Sequence, residues 1–273
     1  MPELPEVECI RRALVGPMRG SCLSLHALHR RDVVSGSRTR RALLDGSCIV
    51  ELVRRGKQLS LVGADGRTIV VRLGMSGQLL LLPPASPLPS HAHVVWSITN
   101  TLDRTQWLVF RDPRRFGGVE TFRTTAARDA VWSRLGPDAL TVRSTQLVIA
   151  LGGRRQPIKA ALLDQSCLAG VGNIYADEAL FLAHIDPARK CTTLSRGDIR
   201  CIADAIRFVL KSSIKHGGSS LRDYVLPSQA RGSFVSAHQV YGRADLPCRR
   251  CKAPLRSTRI SGRTTSYCPQ CQV

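Results

Sequence analysis

The first eight residues, Met1-Pro2-Glu3-Leu4-Pro5-Glu6-Val7-Glu8, hold three of the chain's six glutamates. Acids favour helix N-termini, which accounts for part of this. A chemical reading stands beside it. Initiator Met is normally removed before a small residue, and the chain then begins with Pro2, a free secondary amine. An α-amine titrates at roughly 7.7–8.0, far below Lys, so a share of it is neutral and nucleophilic at neutral pH. Attack on an aldehyde-level carbon gives an iminium, an electron sink, and Glu3 next door can supply or take a proton. The bland alternative is a frayed terminus.

A second constellation closes the chain. Cys248-x2-Cys251 and Cys268-x2-Cys271 lie sixteen residues apart, the spacing at which two knuckles complete one tetrahedron around zinc. Four protein ligands leave no open position, so one structural Zn2+ per chain is expected rather than a catalytic one. Arg249, Arg250, Lys252, Arg256, Arg259 and Arg263 surround these thiols against a single acid, Asp245, and such a charged hairpin suits a phosphate backbone. The other six cysteines (Cys9, Cys22, Cys48, Cys167, Cys191 and Cys201) show no ligand spacing and read as small buried residues of a reduced protein.

The elements that must position these groups fall into two kinds. Pro5 fits a first helical turn, Val7, Ile10 and Leu14 follow at helical spacing, and Gly16-Pro17 is expected to end that helix. Strand patterns come next at 22–29, 48–54, 57–62, 68–73, 78–82, 93–99 and 106–111, joined by Gly, Pro and Asp turns, which points to a β-sandwich. From about residue 124 the pattern is helical, at 127–135, 144–151, 158–165, 173–183 and 195–215. Ser195 with Asp198 three residues on starts the last helix and Gly217-Gly218 stops it.

Length and charge bound the rest. With 273 residues and 43% hydrophobic composition the chain can bury a substantial core. Lys and Arg number 40 against 20 Asp and Glu, a net charge of +20, which favours a polyanionic partner, most often nucleic acid. Only six of the cations are Lys, so Lys57 and Lys159 stand out from an Arg-rich background that codon bias can produce. No apolar run approaches the ~20 residues of a spanning helix and no signal-peptide pattern opens the chain, so a cytoplasmic protein is expected.

Several motifs then fall in register along the whole chain. They are the N-terminal octapeptide, Arg55-Gly56-Lys57, Leu73-Gly74-Met75-Ser76-Gly77, Asp112-Pro113-Arg114-Arg115-Phe116-Gly117, the stretch from Gly170 to Ala179, that from Gly217 to Tyr224, Val240-Tyr241-Gly242-Arg243 and the four-cysteine tail. Together they resemble the bacterial formamidopyrimidine-DNA glycosylases, also called 8-oxoguanine DNA glycosylases. The resemblance implies an α+β multidomain fold: an N-terminal β-sandwich with an N-terminal helix (1–123), a helix-two-turns-helix domain (124–235, with a lesion-capping loop at 219–235) and a zinc-finger β-hairpin (236–273).

It also implies a bifunctional enzyme acting on double-stranded damaged DNA as a monomer. Such an enzyme excises oxidised purines, with no organic cofactor, and cuts the strand by β- and δ-elimination. Pro2 is then the nucleophile, Glu3 the proton donor, Glu6 a support of the N-terminal geometry and Lys57 the lysine of β-elimination. Met75, Arg114 and Phe116 match the side chains that fill the gap of an everted base. Arg115 anchors its loop or a phosphate. Arg72, where the family usually has His, Lys159, Asn173, Tyr241 and Arg263 match positions on the DNA backbone or near the damaged base. Two stretches depart from the family spelling, 225–235 in the capping loop and 261–267 in the hairpin. Two rivals remain open: an endonuclease VIII-type glycosylase of oxidised pyrimidines, which usually has Gly in place of Leu4 and lacks the Arg-Arg-Phe wedge, and a non-catalytic zinc-ribbon DNA-binding protein.

Overall fold

The structure, a computed structural model, describes every residue except Met1, Ala85, Leu221 and Arg222. Helix α1 (Leu4–Met18) buries Val7, Ile10, Leu14 and Met18 along one stripe. It runs past Gly16-Pro17 by one residue, because a proline in the last turn removes little of the helical hydrogen bonding. Among the described residues nine strands follow: β1 (Cys22–Leu28), β2 (Val34–Ser35), β3 (Ser47–Arg55), β4 (Gln58–Gly63), β5 (Thr68–Arg72), β6 (Gln78–Leu82), β7 (Ala92–Thr99), β8 (Thr105–Arg111) and β9 (Gly118–Phe122). Five helices come next: α2 (Thr125–Trp132), α3 (Ser144–Leu151), α4 (Ile158–Leu163), α5 (Asn173–Leu182) and α6 (Arg196–Lys215). The antiparallel pair β10 (Arg256–Ile260) and β11 (Arg263–Tyr267) closes the chain.

The nine strands run in the order β2-β9-β5-β4-β3-β1-β7-β8-β6. The two halves are joined in the sheet where Cys22 and Leu23 of β1 pair with Cys48 and Ser47 of β3. Both halves feed one apolar cluster. Leu52, Leu61 and Val71 enter from one side, Leu25, Trp96 and Phe110 from the other, and α1 adds Ile10 and Leu14. A sheet bent at one joint and closed on a shared core is a sandwich.

The chain divides into two compact units, Met1–Ser133 with His216–Ser233, and Arg134–Lys215 with Phe234–Val273. In the first, the segment after α6 returns to the sandwich. Leu81 N donates to Pro227 O (3.0 Å) and Tyr224 joins the sandwich core. In the second, α3 to α6 and the β10–β11 hairpin share one body.

Three expectations are corrected here. Lys57 lies in a turn rather than opening a strand, because Arg55 pairs with Gln58 and leaves only Gly56 and Lys57 between them. Cys22 and Cys48 are joined by a disulfide, since the β1–β3 register sets them opposite each other. Cys201 is exposed, whereas Cys9, Cys167 and Cys191 are buried as expected. Strands β2 and β9 had no sequence signal of their own: β2 is two residues long and β9 starts on glycine.

Candidate active site and metal centre

Pro2 immediately precedes the N-cap of α1, and Pro2, Glu3 and Glu6 are all buried. Glu3 and Glu6 form a reciprocal capping box, in which Glu3 N donates to Glu6 Oε2 at 2.8 Å. The other oxygen, Glu6 Oε1, accepts from Ser219 N at 2.9 Å. One carboxylate therefore ties the residue after Pro2 to the start of the 219–235 segment. Two residues of that segment, Leu221 and Arg222, lie outside the described residues.

Glu8, on the next turn, receives Arg11 (2.8 Å), Arg12 (2.9 Å) and Arg54 (3.1 Å). Burial alone would push its carboxyl up; the hydrogen bonds from Arg11 and Arg12 and the charges of Arg11 and Arg54 outweigh it and hold the group at about 2. Lys57 is half-buried in the turn between β3 and β4. Gly56, the first residue of that turn, has φ 54°, a left-handed conformation that suits the first position of a tight hairpin and favours glycine.

Met75 and Phe116 are 36% and 60% exposed, so neither is sheet core. They sit on two loops knitted by one buried carboxylate. Asp112 Oδ1 accepts from Ser76 Oγ at 2.5 Å and Asp112 Oδ2 from Gly117 N at 2.7 Å. Gly74, at φ 57°, lets the two backbones touch: a Cβ there would lie 2.4 Å from the Phe116 carbonyl carbon. The Arg114 guanidinium stacks on Phe116, its Cζ 4.7 Å from the ring centroid. An apolar pair and a cation thus stand together on a braced platform. Arg115 pairs with Asp32 (2.6 Å) and Arg72 with Glu120 (2.7 Å), both with exposed side chains.

In the second unit, Asn173 opens α5 and its amide donates to Thr264 O at 3.0 Å. Tyr241 packs edge-on against His238. Its backbone N–H, with those of Gln239 and Val240, donates to the buried Glu178 carboxylate. Arg263 is exposed at the start of β11. Lys159, expected on the DNA backbone or near the damaged base, is fully buried. Its ammonium meets Asp177 Oδ1 at 2.7 Å and donates to Thr264 O (3.0 Å) and Thr265 Oγ1 (2.8 Å). Asp177 Oδ2 in turn accepts from Ser266 N at 3.0 Å. Burial pushes the Asp177 carboxyl up to about 7 against the pull of Lys159. Lys159 finds its carboxylate on the next helix, α5, and the pair anchors β11 from inside.

Sequence reasoning missed Asp112, Glu178, Asp177 and Arg54. Each is a buried or nearly buried group that holds a loop rather than facing a ligand, and its signal appears only once its partner is known.

The sulfurs of Cys248, Cys251, Cys268 and Cys271 lie within 4.8 Å of one another. Cys251 and Cys268 are 3.5 Å apart, Cys248 and Cys271 4.0 Å. Four thiolates around a tetrahedral Zn2+, each about 2.3 Å from it, would stand about 3.8 Å apart, so the donor set fits. Arg250 N and Cys271 N point at Cys248 Sγ and Cys268 Sγ, both at 3.4 Å, and such amide donors stabilise thiolate charge. These four cysteines make a closed site for one structural zinc. The apolar residues Phe181, Val240 and Leu255 pack around them.

Comparison with known proteins covers the same ground. Residues 1–119 match the formamidopyrimidine-DNA glycosylase N-terminal domain, residues 135–225 its H2TH domain, and residues 245–273 a zinc finger found in FPG and IleRS. The chain is 41% identical to a formamidopyrimidine-DNA glycosylase of Thermomicrobium roseum, over all of this chain and 99% of the relative. It is 40% identical to one of Acidithiobacillus ferrooxidans over the full length of both. Among solved structures, the MutM (Fpg) protein of Thermus thermophilus superposes with a TM-score of 0.87 at 37% identity, covering 99% of this chain and 98% of that one. The Lactococcus lactis Fpg in complex with an abasic site containing DNA gives 0.88 at 31%, covering 99% of each. With its N-terminal, helical and metal-binding segments all matched in order, the chain belongs to the formamidopyrimidine-DNA glycosylase family.

Proposed function

We propose that this protein removes oxidised purines, 8-oxoguanine and formamidopyrimidines, from double-stranded DNA and then cuts the strand at the resulting abasic site. It acts as a monomer in the cytoplasm, on the nucleoid. Its parts are a catalytic sandwich (1–123), a helix-two-turns-helix domain (124–235) and a zinc finger (236–273). The observation that carries the reading is the buried acid pair Glu3 and Glu6, closed on each other in a capping box directly after Pro2, in a chain whose net charge is +20. Burying a carboxylate is costly unless hydrogen bonds compensate it, and the backbone N–H groups of Glu3 and Ser219 do so for Glu6 beside Pro2.

The reaction begins when removal of Met1 frees the Pro2 nitrogen. The nitrogen attacks C1′, the bond to the base breaks, and the nitrogen's proton leaves with the base. Glu3 gives a proton to O4′ as the C1′–O4′ bond opens, leaving an iminium between Pro2 and C1′. The carboxylate of Glu3 then takes a proton from C2′, acidified by the iminium. The C3′–O bond breaks, and the phosphate departs with the electron pair toward Lys57. A second elimination releases the 5′ phosphate. Met75, Arg114 and Phe116 occupy the gap left by the everted nucleotide. Arg72, Arg115, Asn173, Tyr241 and Arg263 bind the backbone. Bound zinc supplies no chemistry to these steps; it fixes the hairpin that presents Arg263.

Borohydride trapping tests this. An 8-oxoguanine duplex incubated with the protein and borohydride should yield a covalent adduct that digestion and mass spectrometry map to Pro2. Pro2→Gly should bind the duplex with near-normal affinity and cleave it severely more slowly. An unaltered cleavage rate, or a protein that binds without trapping or releasing base, would leave only a zinc-braced DNA-binding protein.

A further inference from the structure

The turn that carries Lys57 is fastened to α1, the helix that begins just after Pro2 and Glu3, and the fastening runs through Arg54. Its side chain is 8% exposed, and its Nε lies 3.1 Å from Glu8 Oε2 on α1. From the other end of the same guanidinium, Nη1 donates to Gly56 O at 3.0 Å. That carbonyl belongs to the peptide plane whose nitrogen is Lys57's own. Fixing it fixes the rotation of the plane from which the Lys57 side chain departs. A guanidinium is rigid and planar, so its two contacts hold a distance and an angle together; an ammonium cannot.

Arg54 is not needed to keep Glu8 charged. Arg11 and Arg12 also bind that carboxylate, at 2.8 and 2.9 Å, from more exposed positions on α1. Two cations already serve the charge, and the nearly buried third spans to a catalytic turn. That division of labour distinguishes a positioning contact from one more ion pair.

We propose that Arg54 is a positioning residue for Lys57: it sets the lysine's approach to the leaving phosphate, and so governs elimination rather than base release. This rests on the assignment of Pro2 and Lys57 above. In the step concerned, C2′ loses its proton, a C2′–C3′ double bond forms, and the C3′–O bond breaks with its electrons leaving on the phosphate. Arg54 touches none of these atoms. It acts only through the turn.

The test uses the full-length, zinc-loaded protein on an 8-oxoguanine duplex and on a duplex with a preformed abasic site. Arg54→Met should slow cleavage of the abasic duplex by roughly 10- to 100-fold, the range expected for misplacement of a reacting group by about an ångström. Base release and borohydride trapping at Pro2 should stay within about twofold of the wild type. Arg54→Lys keeps a charge beside Glu8 yet cannot span both partners, and should resemble Arg54→Met. It supplies the same comparison if the methionine variant does not fold. The double variant Arg54→Met/Lys57→Ala should be no slower than Lys57→Ala alone, because two changes to one unit do not add. Full rescue by Arg54→Lys, equal loss of trapping and cleavage, or multiplicative losses in the double variant would overturn the proposal. A wild type that never traps, or a Lys57→Ala that cleaves normally, would instead overturn the assignment on which it rests.

Discussion

At the scale of single residues, acids do the holding in this strongly basic protein. Asp112 joins the loops of Met75 and Phe116, Glu6 joins Glu3 to Ser219, and Glu178 gathers three successive amides ahead of the zinc hairpin. Glu8 has the most legible energetics. Its folded value of about 2 lies below the ordinary 4.5, so the folded state prefers the ionised form. A depressed carboxylate stabilises fully above its unfolded pKa, and the contribution fades as pH falls toward the folded one. The window is therefore about pH 4.5 down to 2, and the contribution about 3 kcal/mol. Urea unfolding of the wild type and Glu8→Gln at a series of pH values checks this. The stability gap between them should be widest above pH ~5 and shrink steadily below it; a gap independent of pH would show that the three arginines do not act through this charge.

At the scale of elements, much of what positions the site was legible beforehand. The apolar stripe of α1 and the Ser195–Asp198 start of α6 are written in local periodicity and capping, which need no knowledge of distant residues. The zinc site was legible for the same reason, since its spacing is local. Partners far along the chain were not. Nothing near Lys159 in sequence announces its burial against Asp177, and Cys22 reads as a lone core residue because Cys48 becomes its neighbour only through the register of β1 and β3. Lys57 was misplaced by one residue into a strand, as alternation alone does not locate a two-residue turn.

The hairpin illustrates how such an element depends on more than its metal. It is held by zinc through four thiolates and, on β11, by the Lys159–Asp177 pair with Thr264, Thr265 and Ser266. Cys268→Ser should lose zinc, measured by metal analysis of the purified protein, and weaken duplex binding in the same variant, because Arg263 is then presented by a strand pair that keeps only its β11 anchor. Wild-type affinity without metal would mean that the buried ion pair alone suffices to seat the hairpin.

At the scale of the whole molecule, the excess of 20 positive charges acts through the few cations that reach phosphate. Lys57, Arg72, Arg115 and Arg263 are the candidates on the surface, and each displaced counterion contributes about 0.9 to the slope of log affinity against log salt. Four contacts predict a slope of roughly −3 to −4, hence about a 100-fold loss of affinity between 50 and 200 mM salt. Lys159 sits outside this sum. Its charge is spent on Asp177 in the interior, so Lys159→Met should lower thermal stability through the unpaired carboxylate without making the slope shallower by a full counterion. Arg263→Ala should do the reverse, leaving stability near wild type and flattening the slope by about one. Fluorescence anisotropy titrations across salt separate the two. If Lys159→Met flattened the slope as Arg263→Ala does, the lysine would have to leave its buried partner and meet phosphate when DNA binds.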